Sequence, residues 1–251
     1  MATTDPPTTD PSTLPPPFRP QPIAAGDPFA VACAEAARGA EAGTLVWAAR
    51  RDRLDMAVVL GPDRPLDETR RIVAVAMAAL ADALEALGPP NLTVGFGWPD
   101  RLLVNGALVG GLRFAAAPGA AGAAIPETAI PDWAVVGATV DVAGDPDDPD
   151  PGRHPERSAL REEGFGDIEA PALLESVARH LLSWLDLWED AGFEAVERIW
   201  RRRLDRPAAL SAPGPALEWP NWEWPNRERP SWERPSWELP ERRVPWTGPN
   251  G

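Results

Sequence analysis

Proline decides where this chain can fold. Its 32 prolines among 251 residues crowd into the first twenty residues, MATTDPPTTDPSTLPPPFRP, and into the stretch beyond Leu204. Proline has no N–H and clashes with the preceding helical turn, so neither region supports a long helix or a central strand. From Pro215 it returns every fifth residue, at Pro220, Pro225, Pro230, Pro235, Pro240 and Pro245, with Glu218, Glu223, Glu228, Glu233 and Glu238 in register. Half of the twelve tryptophans sit in this repeat, which is expected to be extended, polyproline-like or disordered. Two origins stay open: an in-frame expansion tolerated at a free end, or Trp-Glu units that serve as a multivalent ligand or as a strap over the core. The expected organisation is a disordered Pro/Thr-rich segment 1–22, one domain over residues 23–204, and a disordered Pro/Trp tail over 205–251.

Within the domain the elements can be read in order. Asp27-Pro28 is a capping carboxylate followed by proline at the first helical position, and it predicts a helix running to Gly43. Strands follow at 44–49 and 54–60, separated by the charged turn RRDR. An alanine-rich helix is expected over 67–87, stopped by Gly88-Pro89-Pro90. Short strands then cover 92–96 and 102–104, Asn105-Gly106 makes a tight hairpin turn, and 107–115 returns. A strand at 132–142 and helices at 170–190 and 193–204 complete the domain. In the first of these helices Leu173, Val177, Leu181, Trp184 and Trp188 form one apolar stripe. Strands in runs followed by helices in runs predict an α+β fold, a mainly antiparallel sheet covered by helices.

Charge narrows the function. A formal net charge of −14, with arginines only in short clusters beside acids, argues against nucleic acid. No twenty-residue apolar span and no basic-flanked leader occur, so no membrane role is expected and a cytoplasmic location is the default. No glycine-rich phosphate loop ending in Lys-Ser or Lys-Thr appears. All 24 basic residues are arginine, which excludes any mechanism that needs a lysine ammonium on this chain. The lone Cys33 reads as a small buried hydrophobe. His154 and His180 lack partners at metal-binding spacing, and no metal is expected. The acidic run at 145–150 departs from a calcium loop and reads as a solvated loop.

The hairpin holds the sharper signal. In WPDRLLVNGALVGGL the returning strand carries Gly110 and Gly111, which weaken a strand unless a ligand or another backbone must approach closely there. This segment resembles the signature of biotin protein ligases, in which Trp-Pro-Asn-Asp on one strand is followed by a lysine and then a small residue and glycine on the returning strand. The strand WAVVGATVDV and the closing helices, from Ser158 to Leu204, match in the same order. The chain is therefore similar to a divergent branch of the biotin/lipoate A/B protein ligase family. That implies the fold shared with class II aminoacyl-tRNA synthetases. It also implies an enzyme that uses ATP with magnesium to turn a carboxylate vitamin, biotin or lipoate, into an acyl adenylate, then passes the acyl group to a lysine of a carrier protein.

Carried over position by position, Trp98 would line the vitamin pocket. Arg50, Arg51, Arg53 or Arg101 would hold phosphates. Gly110 and Gly111 match the small-glycine pair, Asp100 stands where asparagine is usual, and Thr139 belongs to the strand that ends at Asp141 and Val142. The lysine position is Leu108, and loss of one preorganised donor costs roughly 3–4 kcal/mol of transition-state stabilisation. Three readings follow: a working ligase of altered design, a binding module that keeps the pocket without the chemistry, or an interaction protein built on the same fold.

Overall fold

The structure, a computed structural model, describes residues 14–119, 122–144 and 154–204. Seven strands form one sheet: β1 (Arg19–Ile23), β2 (Thr44–Ala48), β3 (Arg53–Leu60), β4 (Val94–Gly97), β5 (Arg101–Val104), β6 (Ala107–Ala116) and β7 (Ala134–Asp141). Their spatial order is β1-β2-β3-β7-β6-β5-β4. Every neighbouring pair is antiparallel except β1 with β2. Helix α1 (Pro28–Ala37) covers part of one face, and α3 (Ile72–Leu87), α4 (Ala170–Ala191) and α5 (Phe193–Arg203) build the layer on the other. The architecture is the expected α+β one.

Three boundaries differ from the sequence reading, each for a physical reason. Residues 19–22, assigned above to the segment before the domain, form part of the sheet as edge strand β1. Pro20 and Pro22 are tolerated because an edge strand needs donors on one side only. Helix α1 ends at Ala37, where Arg38 and Gly39 bond back to Glu35 and Ala36, and Gly39 takes a φ of 91° that continues no helix. The helix expected over 67–87 is split into α2 (Leu66–Thr69) and α3. The amides of Leu66 and Asp67 donate to Ala129 and Glu127, and the buried Arg70 guanidinium pairs with the Glu127 carboxylate. Such long-range ties have no signature in the local sequence.

The main core lies between the sheet and α3–α5. Helix α3 is buried nearly all round, which explains its apolar composition without a polar face. The predicted α4 stripe is buried at every position, and the Trp184 indole N–H donates to Asp82 Oδ2 at 2.7 Å. Trp200 of α5 is fully buried, stacked on Phe96 at 6.2 Å and meeting Trp98 edge-on at 5.9 Å. A smaller core under α1 is built on Phe29, Val46, Ala57, Val59 and Val135. Among the described residues no helix is long and apolar enough to cross a membrane. The N-terminal prolines up to residue 13, the acidic run 145–150 and the pentapeptide tail lie outside the described residues.

Candidate functional site

Strand alternation sends every second residue of β3, β6 and β7 toward α1, but α1 covers only part of that face. Under the helix the outward residues are apolar. Beyond it, the pairings Arg53 with Asp141, Asp55 with Thr139, Thr139 with Gly111, and Gly111 with Arg101 assemble a polar floor. At the boundary stands Arg113, whose guanidinium makes two hydrogen bonds to Asp27, 2.8 and 2.6 Å, and lies 4.6 Å over the Phe29 ring. Burial would raise the Asp27 carboxyl, but Arg113 and the amides of Phe29 and Ala30 outweigh it and hold the group below the usual carboxylate range. Asp27 thus does more than cap α1: it fastens the helix to the sheet.

The hairpin forms as expected, with Asn105 and Gly106 both at positive φ, 51° and 88°. Its two glycines have different reasons. A Cβ on Gly110 would stand 2.1 Å from the Thr139 carbonyl oxygen, so Gly110 is required by the close approach of β7. Gly111 lies on the opposite side of the strand, in the polar floor between Arg101 and Thr139. A bulge then inserts an extra residue in β6 opposite Leu102 and Leu103. It buries Val109 in the main core and turns Leu108 to the same face as Leu103 and Arg101.

Leu108 is where the family resemblance puts a lysine, and the chain covers it in an unexpected way. The Leu108 amide donates to Glu156 O at 2.8 Å, and its carbonyl accepts from Ser158 at 3.0 Å. Arg157 is thereby laid alongside Leu108, and its guanidinium donates to Asp141 at 3.1 Å. Arg157 escaped the sequence reading because nothing local connects residue 157 to residue 108.

The arginines of the 49–53 turn converge on carboxylates. Arg50 bonds Asp52 at 2.9 and 2.5 Å and lies 3.9 Å from Asp55. These bonds hold the Asp52 carboxyl below its usual range. Arg53 lies 3.2 Å from Asp55 and 3.7 Å from Asp141, and the Thr139 hydroxyl donates to Asp55 at 2.9 Å. Arg51 turns away, gripping Glu169 at 2.7 and 2.9 Å, and clips the turn to the start of α4. Arg50, Arg51, Arg53 and Arg157 therefore face an equal number of acids: Asp52, Asp55, Asp141 and Glu169.

The other expected site residues are spread apart. Trp98 packs toward Trp200 at the rim of the main core, away from the polar floor. Asp100 is 8% exposed at the β4–β5 turn, and burial pushes its carboxyl up to about 6 although Arg101 pulls the other way. Arg101 lies flat over Gly97, whose missing side chain makes room for its stem. His180 bonds the carbonyl of Ser176 in its own helix, and His154 is 3.6 Å from Glu156. Cys33 is buried, its thiol pushed up to about 12. Among the described residues no group of three or more His, Cys, Asp and Glu is placed to hold a metal ion.

A mainly antiparallel sheet with a glycine-bearing hairpin, backed by closing helices, is the class II synthetase-like fold of the biotin ligases. The sequence matches the model of the biotin/lipoate A/B protein ligase family over residues 14–202, and the chain belongs to that family. A biotin protein ligase-like protein of unknown function from Silicibacter sp. tm1040 is 35% identical, with 76% of this chain and 80% of that one covered and a TM-score of 0.68. The fold also matches the biotin protein ligase of Aquifex aeolicus in complex with biotin and ATP, at 15% identity, coverage of 74% and 78%, and a TM-score of 0.55. The biotin protein ligase of Leishmania major in complex with biotinyl-5-AMP matches at 18% identity, with 87% and 93% covered and a TM-score of 0.54. Among curated proteins no sequence matches.

Proposed function

We propose that the polar floor takes a small carboxylic acid of the biotin or lipoate kind, and that the domain holds this acid without the ATP-dependent adenylation expected from the resemblance. The observation that carries this reading is the pairing of Arg50, Arg53 and Arg157 with Asp52, Asp55 and Asp141 around Gly111 and Thr139. A magnesium triphosphate does not fit such a floor. Each phosphate contact would draw an arginine away from a carboxylate and leave that acid uncompensated. Leu108 is apolar and buried where a lysine would add charge. A compact acid with an apolar body makes one such exchange at most: its single carboxylate takes the Arg53 guanidinium, Asp55 keeps the Thr139 hydroxyl, and the apolar part lies toward Leu103.

Calorimetric titration of the full chain with biotin, lipoate and octanoate, each with and without magnesium ATP, tests this reading beside acid-dependent ATP/pyrophosphate exchange. One acid is expected to bind equally with and without ATP, with no exchange, and Arg53→Ala is expected to weaken it. If folded protein binds none of the three, the acid site is refuted. Exchange with any of them refutes the absence of adenylation.

One observation favours the second reading, a working ligase that transfers its acyl group to a carrier lysine: Arg157 lies beside Leu108 and carries a cation to the position that lacks one. In that case exchange occurs and Arg157→Ala abolishes it. A chain without lysine cannot be acylated on its own side-chain amines, so leaked adenylate would label added lysine-bearing carriers and no internal peptide of this protein.

A further inference from the structure

A cavity of about 310 Å³ opens at the end of the sheet opposite the arginine turn, beside Gly43 and Leu60. Phe18, Ile72, Leu182 and Leu185 line its apolar floor, and Trp188 forms a wall. The Arg64 guanidinium lies 4.6 Å over the Trp188 ring. Pro17 and Pro62 flank the opening, and Asp63 and Glu189 stand with Arg64 on the rim. None of these residues belongs to the polar floor.

We infer that this groove is a docking site for the chain's own pentapeptide tail, in particular for PSWERPSWEL, residues 230–239. Grooves lined by aromatic and proline side chains take proline-rich extended segments because those segments are already ordered and lose little entropy on docking. Trp232 and Trp237 bring large apolar rings with a polar N–H at the edge. The charges also match: Arg64, 3.2 Å from Asp63, can share its guanidinium with Glu233 or Glu238, and Arg234 answers Glu189. Reach is ample. The tail leaves the fold at Leu204, which is paired with Phe96 on the outer edge of β4. At about 3.1 Å per residue, the chain from Leu204 to Pro230 spans up to ~80 Å, against about 29 Å for the full width of seven strands.

The test uses the full chain with Ser231→Cys carrying a nitroxide label; the buried Cys33 stays unlabelled. Paramagnetic broadening is read at the methyl groups of Ile72, Leu182 and Leu185, with Leu103 on the polar floor as reference. Docking predicts selective broadening of the groove methyls that persists on dilution. It is lost when Trp232→Ala and Trp237→Ala are added, changes that leave the domain untouched, and is reduced by Arg64→Glu at the rim. Equal broadening of the groove and Leu103 methyls overturns the inference. Groove broadening that fades on dilution also overturns it, since the tail would then be seated on another copy.

Discussion

Toward α3 and α4, strand β3 presents Leu54, Met56 and Val58; toward α1 it presents Arg53, Asp55, Ala57 and Val59. The first face is apolar from end to end. The second changes character halfway, apolar where Phe29 lies on it and charged where α1 no longer reaches. A helix of ten residues covers only about 15 Å, so the uncovered half of the sheet needed side chains that water tolerates. The same alternation that builds a core on one side therefore sets a polar floor on the other, where the Thr139 hydroxyl is buried and the Asp55, Asp141 and Arg53 side chains are partly covered. The proposed site is the part of the sheet beyond the reach of α1.

If the two faces differ in this way, substitutions should rank by face. Trp200→Ala should cost the most, about 3–5 kcal/mol, since a fully buried indole leaves a cavity between Phe96 and Trp98. Urea unfolding measures it, and a loss below ~1 kcal/mol would remove α5 from the core. Asp100→Asn should act in the opposite direction. A carboxyl raised from 3.8 to about 6 binds its proton more tightly in the folded state, so stability falls as pH rises between those values. The asparagine variant should lack that slope and be more stable at pH 7 by on the order of 2–3 kcal/mol. Asp27 has the opposite sign: its contribution is present above the ordinary carboxylate range and is lost as pH falls through its lowered value.

Gly110→Ala comes next, at about 1–3 kcal/mol, because its Cβ meets the rigid backbone of β7. Thermal unfolding of this variant, with circular dichroism to show the sheet intact, distinguishes a backbone reason for the glycine from a ligand reason. Arg51→Ala should be the smallest effect, below ~1 kcal/mol and weaker still at high salt, since both partners of the Glu169 pair are substantially exposed. A cost there equal to that of Trp200→Ala would collapse the distinction between the faces.

Much of this was legible along the chain. The Asn105-Gly106 turn, the α4 stripe and the run of strands followed by closing helices are local patterns with one dominant structural solution each, and the structure carries all three. The motif WPDRLLVNGALVGGL carries the family resemblance in the sequence alone. The site was legible only in its ingredients. Arg50, Arg51 and Arg53 stood out as a basic cluster, yet in three dimensions each has a carboxylate within reach, one of them Glu169 at the start of α4. The packing of Trp98 edge-on against Trp200, 5.9 Å away, is equally absent from the local sequence.

By itself the sequence determined the elements and the class of fold, because turn chemistry and apolar periodicity act over a few residues and survive any arrangement. It also determined that no lysine chemistry is possible on this chain. Tertiary structure alone decided that Gly110 answers to a neighbouring strand, that Arg157 lies beside Leu108, and that the arginines are balanced by acids. Those facts depend on distances between residues far apart in sequence. Electrostatics responds to distance in space, and the order of residues along a chain does not record it.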